Sequence, residues 1–88
     1  MSEARGARAV VEVLARALTD HPDDVRVTES QHNKSTTLVE LYVAPGDLGK
    51  VIGRQGRTAA ALRTLASTAG EREGKTVTLE IRDTPFRG

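Results

Sequence analysis

Apolar residues recur along the chain in two rhythms, and the rhythm changes at definite points. From Ala7 to Leu18 they fall at Ala7, Val10, Val11, Leu14, Ala17 and Leu18, the three-and-four spacing of one helical face, with Arg8, Glu12 and Arg16 opposite. "TDHPDD" ends that pattern, because Pro22 disfavours helical backbone at His21 and has no amide to extend the ladder. The spacing therefore predicts a helix ending near Asp20. "VRVTE" from Val25 and "TLVELYV" from Thr37 alternate every second residue instead, which puts Val25 with Val27, and Val39 with Leu41 and Val43, on single faces. Between these half-buried strands the polar stretch "SQHNKST", Ser30 to Thr36, reads as a hairpin loop.

Pro45 suits the first turn of a helix, and the short helix it opens has to stop before Gly53. After Gly56, "RTAAALRTLASTAGERE" predicts a longer helix with Leu62, Leu65, Ala66 and Ala69 on one face, running to Gly70 or Glu73 with Gly74 as its cap. "KTVTLEIRD" returns to alternation, with Val77, Leu79 and Ile81 inward, and "TPFRG" reads as a frayed end. The order is helix, strand, strand, helix, helix, strand. A hairpin makes the first two strands antiparallel, and a right-handed helical crossover makes the third parallel to the second. Each strand offers one apolar face, so the expected fold is α+β, a three-stranded mixed sheet with the helices packed on one face.

Composition narrows the function classes. At 88 residues the chain is expected to be one domain, 1–88, with its core at about 7–83. Cysteine is absent, which excludes a disulfide framework and thiolate chemistry. Tyr42 and Phe86 are the sole aromatics, too few for a base-stacking platform. No secretion signal and no long apolar run is present, so a cytoplasmic protein without a membrane partner is expected. Thirteen Lys and Arg against twelve Asp and Glu give a net charge of +1, which alone announces no polyanionic partner. Distribution says more: Lys50, Arg54, Arg57 and Arg63 fall between Leu48 and Leu65 with no acid among them, while acids gather at Asp20, Asp23, Asp24 and Glu29.

The basic cluster surrounds "GKVIGRQGRT", Gly49 to Thr58. Two glycines with two spacers are weak evidence in a chain with eight glycines, and the bland reading is a tight helix–helix turn. Context strengthens the pair, since the first glycine ends a short helix and the second opens a long one. Glycine lets backbone approach a sugar-phosphate chain, and the amides opening the following helix favour a phosphate. Arg54 and Gln55 are expected in solvent, Lys50 and Arg57 as flanking cations, and Ile52 as a core residue with an edge toward a ligand. His32 and Lys34 sit in a hairpin loop whose default reading is a plain polar turn. His21 reads as a surface cap, and Asp23 and Asp24 as partners of local amides. Two isolated histidines make no metal site, no serine has a base at a useful spacing, and no catalytic residue or cofactor is expected.

This constellation resembles the K homology (KH) domain, whose GXXG loop clamps the backbone of a short single strand. The resemblance runs from roughly Ala7 to Asp83, and the element order is that of the type II KH domain. On "VRVTE", "ELYVAPGDLGKVIGRQGRTAAALRTL" and "TVTLEIRD" the chain is most similar to the small bacterial single-KH proteins of the KhpA (YlqC-like) family. That resemblance implies an RNA-binding protein and RNA chaperone, with Gly53, Arg54, Gln55 and Gly56 on the strand's backbone and its bases in an aliphatic groove. Lys50, Ile52, Arg57 and Lys34 are the further contacts carried over. It also implies a homodimer, or a heterodimer with a KhpB (Jag or EloR-type) protein, and a role in cell-envelope homeostasis and cell length. The rival reading is a dimerisation module whose RNA contact is secondary, and its mark would be an exposed apolar strip on the second helix or on the sheet edge. An alanine- and arginine-rich N-terminus and the "TPFRG" tail depart from the family pattern.

Overall fold

Alternation and helical spacing yield the expected elements in the expected order. The computed structural model describes residues 6–83, so the expectations for the N-terminal tail and for "TPFRG" lie outside the described residues. Helix α1 spans Gly6–Leu18 and is followed by a 3-10 turn at Pro22–Asp24. Strands β1, Arg26–Gln31, and β2, Thr36–Val43, form the hairpin. A second 3-10 turn at Pro45–Asp47 leads into the short helix α2, Leu48–Ile52. A tight turn at Arg54–Gly56 then leads into α3, Arg57–Glu71, and the chain returns as β3, Thr76–Asp83.

The sheet has the order β1-β2-β3. β1 pairs antiparallel with β2, Val27 opposite Leu41, and β2 pairs parallel with β3, Val39 opposite Leu79. Alternation places Thr37, Val39, Leu41 and Val43 of β2 in the interior, where the last three meet Ala7, Val11 and Ala15 of α1, Val51 of α2, and Leu62 and Ala66 of α3. Small residues let the helices come close. At Gly70 an added Cβ would run into the Val77 side chain, so the end of α3 reaches β3 only as glycine. Gly74, at φ +72°, then reverses the chain while Lys75 donates its amide to the Gly70 carbonyl at 2.9 Å.

Three expectations are corrected. The hairpin loop is shorter than Ser30 to Thr36, because Ser30 and Gln31 still pair with Leu38 and Thr37; only residues 32–35 turn the chain. The Asn33 carboxamide oxygen closes the turn by accepting the amides of Ser35 at 2.9 Å and Thr36 at 3.0 Å, satisfying the backbone in four residues. Leu65 is 46% exposed rather than inward, since it lies a sixth of a turn to one side of the Leu62, Ala66 and Ala69 stripe. On α1 the apolar arc is wider than the core it faces: Ala7, Val11 and Ala15 are buried, whereas Ala17 and Leu18 are exposed and Val10 is half-buried.

Connectivity fixes where the loops lie. β2 runs toward the glycine turn, and α3 runs back from it to the start of β3, where the Thr76 amide donates to the Ser35 carbonyl at 2.6 Å. The hairpin loop and the glycine turn are therefore at opposite ends of the sheet, separated by the length of the fifteen-residue α3, about 22 Å. α1 lies antiparallel to α3. Gly6 at its start stands beside the Glu73 side chain, and its end leads to Asp20 and His21 at the glycine-turn end.

Candidate nucleic-acid interface

The turn between α2 and α3 is built from backbone that side chains rarely tolerate. Gly53 has φ 77° and ψ 171°, a region open essentially to glycine alone, and a Cβ there would collide with the Thr58 side chain. Gly56 is left-handed at φ 73°, with open space where a Cβ would stand. Between them Gln55 is also left-handed, at φ 57° and ψ 24°, the single non-glycine residue of positive φ among the described residues. The Gly53 amide closes α2 by donating to the Gly49 carbonyl at 2.8 Å, and the Gly56 amide donates to the Gly53 carbonyl at 3.1 Å. The turn is thus held by its own backbone. Arg54 and Gln55 project into solvent, and the Arg57 guanidinium steadies Gln55 by donating to its side-chain oxygen at 3.2 Å.

The apolar pair before the turn divides its work. Val51 is fully buried and anchors α2, whereas Ile52 is half-buried, lies outside the core cluster and leaves part of its surface open beside the turn. Lys50 is exposed but not idle: its ammonium lies 3.3 Å from the Asp20 carboxylate and 4.0 Å from that of Asp47. Lys34 and His32 are on the hairpin loop at the other end of the sheet, so Lys34 and the glycine turn cannot meet one phosphate together. Arg63 is tied to the edge strand by donating its Nε hydrogen to the Leu79 carbonyl at 3.3 Å. The structure therefore brings Lys50, Ile52, Gly53, Arg54, Gln55, Gly56 and Arg57 to one end of the molecule and leaves Lys34 apart. Among the described residues no group of His, Asp and Glu could hold a metal ion, and no helix is long and apolar enough to cross a membrane.

With this geometry, the sequence relationships are decisive. The family described as "KhpA/KhpB, KH domain" matches residues 8–81. The chain belongs to the KhpA/KhpB family of KH domains. The "RNA-binding protein KhpA" of Aquifex aeolicus is 53% identical over 72 residues, 82% of this chain and 90% of that one. Its counterpart in Halalkalibacterium halodurans is 51% identical over 77 residues, 86% of this chain and 99% of that one. By fold, the chain superimposes on Aquifex aeolicus Era bound to GDP·AlF4− with a TM-score of 0.70 at 17% identity, covering 90% of this chain and 31% of Era. Era in complex with MgGDPNP and nucleotides 1506–1542 of 16S ribosomal RNA gives 0.62 at 20% identity, over 90% and 30% of the two chains. The chain thus spans about a third of Era, and that likeness shows the fold.

Sequence reasoning missed the residue that seats this GXXG loop. Asp47 is 1% exposed, and its carboxylate accepts the amides of His21 at 2.9 Å and Asp20 at 3.2 Å and bonds the His21 ring Nδ1 at 3.1 Å. Burial by itself raises the pKa of this carboxyl. The hydrogen bonds from the His21 and Asp20 amides and from the His21 ring, with the attraction of that ring's charge, outweigh burial and hold the group below its ordinary 3.8. His21 is accordingly part of a tertiary tie rather than the surface cap expected of it. Asp23 and Asp24 form the exposed 3-10 turn beside the tie, and among the described residues neither carboxylate accepts a local amide as expected. "PGDLGK" did carry a signal, an Asp just before a helix, which reads locally as an N-cap. The side chain makes no such cap and reaches the chain 26 and 27 residues upstream instead.

Two outcomes follow for stability. Gly56→Ala should lower it by about 1–2 kcal/mol, the strain of a left-handed residue, and Gly53→Ala by more, because its Cβ also meets Thr58; urea unfolding of both variants checks the order. For Asp47, the folded pKa is depressed, so its contribution is complete above about pH 5 and is lost as the pH falls through the lowered value. The stability gap between the wild type and Asp47→Asn should therefore be level near neutrality and close in acid, as read by thermal unfolding across pH.

Proposed function

We propose that this chain is a non-catalytic cytoplasmic protein that binds short single-stranded RNA, seating the strand's sugar-phosphate backbone on the Gly53–Gly56 loop. The observation that carries the reading is the loop itself: glycine-only backbone at Gly53 and left-handed residues at Gln55 and Gly56 lead into the first amides of a fifteen-residue helix. Exposed Arg54 and Arg57 stand there, and no acidic residue occurs between Asp47 and Glu71. The Arg57 amide is spent on the Arg54 carbonyl, but the N-terminal end of a helix still carries partial positive charge, and flanking guanidiniums add full charges that take phosphate oxygens bidentately. Bases then lie along the aliphatic side of the fold beside the partly open Ile52, and the scarcity of aromatics is no obstacle to a groove of that kind. Lys50 adds a phosphate contact once it leaves its acidic partners. Lys34 contributes only where the strand runs the length of the sheet. The curated relatives' names support RNA as the ligand. With the family resemblance we extend the reading to RNA chaperone activity in cell-envelope homeostasis and cell-length control.

A second feature supports pairing with another KH domain. Val13 is 64% exposed, Leu65 46% and Leu18 39%, and Ala9, Val10, Val13, Leu14 and Leu65 line a shallow apolar groove between α1 and α3. An exposed apolar strip on the second helix or the sheet edge is the mark expected of a dimerisation module; the strip here runs between α1 and α3, away from the GXXG loop. We assign it to a second copy of the chain, or to the KH domain of a KhpB-type partner with which the family description groups this one. Joining two weak clamps raises avidity without any new RNA contact, so the two readings reinforce each other.

Replacing Arg54 and Gln55 together with Asp should weaken binding of a short single-stranded RNA at least about tenfold in a mobility-shift assay while circular dichroism stays unchanged; retained binding refutes the clamp. The wild type should bind at about micromolar affinity, with the logarithm of the affinity falling by about 0.7 per logarithmic unit of salt for each phosphate engaged. For pairing, Leu65→Glu should leave a folded monomer in analytical ultracentrifugation at concentrations where the wild type is dimeric. A wild type that is monomeric throughout refutes the pairing.

A further inference from the structure

Lys50 is one turn before the GXXG loop, yet its charge is already spoken for. Its ammonium lies 3.3 Å from Asp20 Oδ2 and 4.0 Å from Asp47 Oδ1. Helical side chains lean toward the helix N-terminus, and both acids stand at that end of α2, whereas the loop leaves from the C-terminal end. The two acids are not equivalent. Asp47 is buried and satisfied by the amides of Asp20 and His21, so the fold needs it. The Asp20 side chain is 68% exposed, and Lys50 is its one partner among the described residues; the structural work of Asp20 is done by its amide, which bonds Asp47. Arg54 and Arg57 have no acidic partner among the described residues.

We propose that Asp20 sets the RNA affinity of this protein by acting as an internal competitor for Lys50, a carboxylate that an incoming phosphate must displace. The inference rests on the RNA reading above and deepens it. Because the pair is solvent-exposed, its strength is modest; removing the carboxylate while keeping the amide leaves the tie to Asp47 intact and leaves Lys50 only the more distant Asp47 carboxylate, 4.0 Å away and already satisfied by the Asp20 and His21 amides. The released ammonium can swing on its four-carbon stem toward the loop and engage one more phosphate. The consequence is graded: Arg54 and Arg57 supply the standing charge, and Lys50 supplies a reserve that Asp20 withholds.

The experiment measures binding of a fluorescein-labelled oligouridylate by anisotropy across a salt series, with folding followed by circular dichroism. It uses the wild type, Asp20→Asn, Lys50→Gln, the double variant Asp20→Asn/Lys50→Gln, and Asp23→Asn as a control of equal charge change in the neighbouring 3-10 turn. Asp20→Asn is expected to bind about two- to five-fold more tightly at low salt, with a salt slope steeper by about 0.7. The gain should vanish in the double variant and be absent in Asp23→Asn. Unchanged or weaker binding by Asp20→Asn, or a gain that survives removal of Lys50, overturns the proposal while the RNA reading stands. A wild type that binds no oligouridylate, or binds it equally well with Arg54 and Gln55 replaced by Asp, overturns both.

Discussion

A carboxylate taken out of water has to find donors, and at Asp47 they come from a turn 26 and 27 residues away. That requirement fastens the end of α1 to the start of α2. The glycine loop is downstream of the fastening: α2 has only five residues, Val51 is its one buried side chain, and Gly53 ends it. A helix so short has little stability of its own. Its direction, and with it the direction in which Arg54 and Gln55 leave the surface, is set by the Asp47 tie on one end and the Val51 anchor on the other. The hydrogen bonds to this carboxylate outweigh its burial, so the charge is kept rather than neutralised.

Local rhythm explains why so much of the fold was legible in the sequence. Val25, Val27, Val39, Leu41 and Val43 alternate because a pleated strand presents every second residue to one face, and all five are buried. The type II order and the mixed sheet follow from that pattern and from the room available for a crossover. What local rhythm cannot carry is which side of a helix its neighbour occupies. Leu65 and Val10 have the spacing of core residues, but α1 and α3 meet through Ala7, Val11, Ala15, Leu62 and Ala66, leaving the flanks uncovered. Asp47 was illegible for the same reason, since its partners are distant in sequence. Lys34 looked close to the loop in chemistry and is far from it in space, which only the direction of β2 and α3 decides.

Within the GXXG loop, sequence reading treated the two glycines alike, and the structure separates them. Gly53 needs both its conformation and its bareness, since Thr58 occupies the space a side chain would take; Gly56 needs only its conformation. Gln55 adopts a left-handed backbone without being glycine, and nothing in its side chain announces that. The turn spends its own amides on closure, Gly56 donating to the Gly53 carbonyl and Arg57 to that of Arg54, so the loop's shape is fixed before any ligand arrives. Charge was likewise read as a sum over the stretch, whereas the structure sorts it by partner: Arg54 and Arg57 face solvent, Arg63 is spent on the Leu79 carbonyl, and Lys50 is held by Asp20 and Asp47.

The placement of the apolar strip bears on how the proposed clamp could work in pairs. α3 starts at the loop and carries Leu65 eight residues after Arg57, about 12 Å along its axis, on the flank that faces Val13 across the groove. Pairing through that flank covers side chains that otherwise stand in water and leaves both GXXG loops open, because the loop leaves α3 at its end and not from its side. The open face of the sheet is a poorer candidate for pairing: Arg82 is bound to Glu40 and Glu80, and Thr28 donates to Glu40, so its polar groups already satisfy one another. On the RNA reading proposed above, one KH domain with two or three available cations engages few phosphates, and its hold on a short strand is weak. If two such domains pair on the helical seam as proposed, one longer strand is held at two points, and the linkage between the points supplies affinity that neither loop has alone.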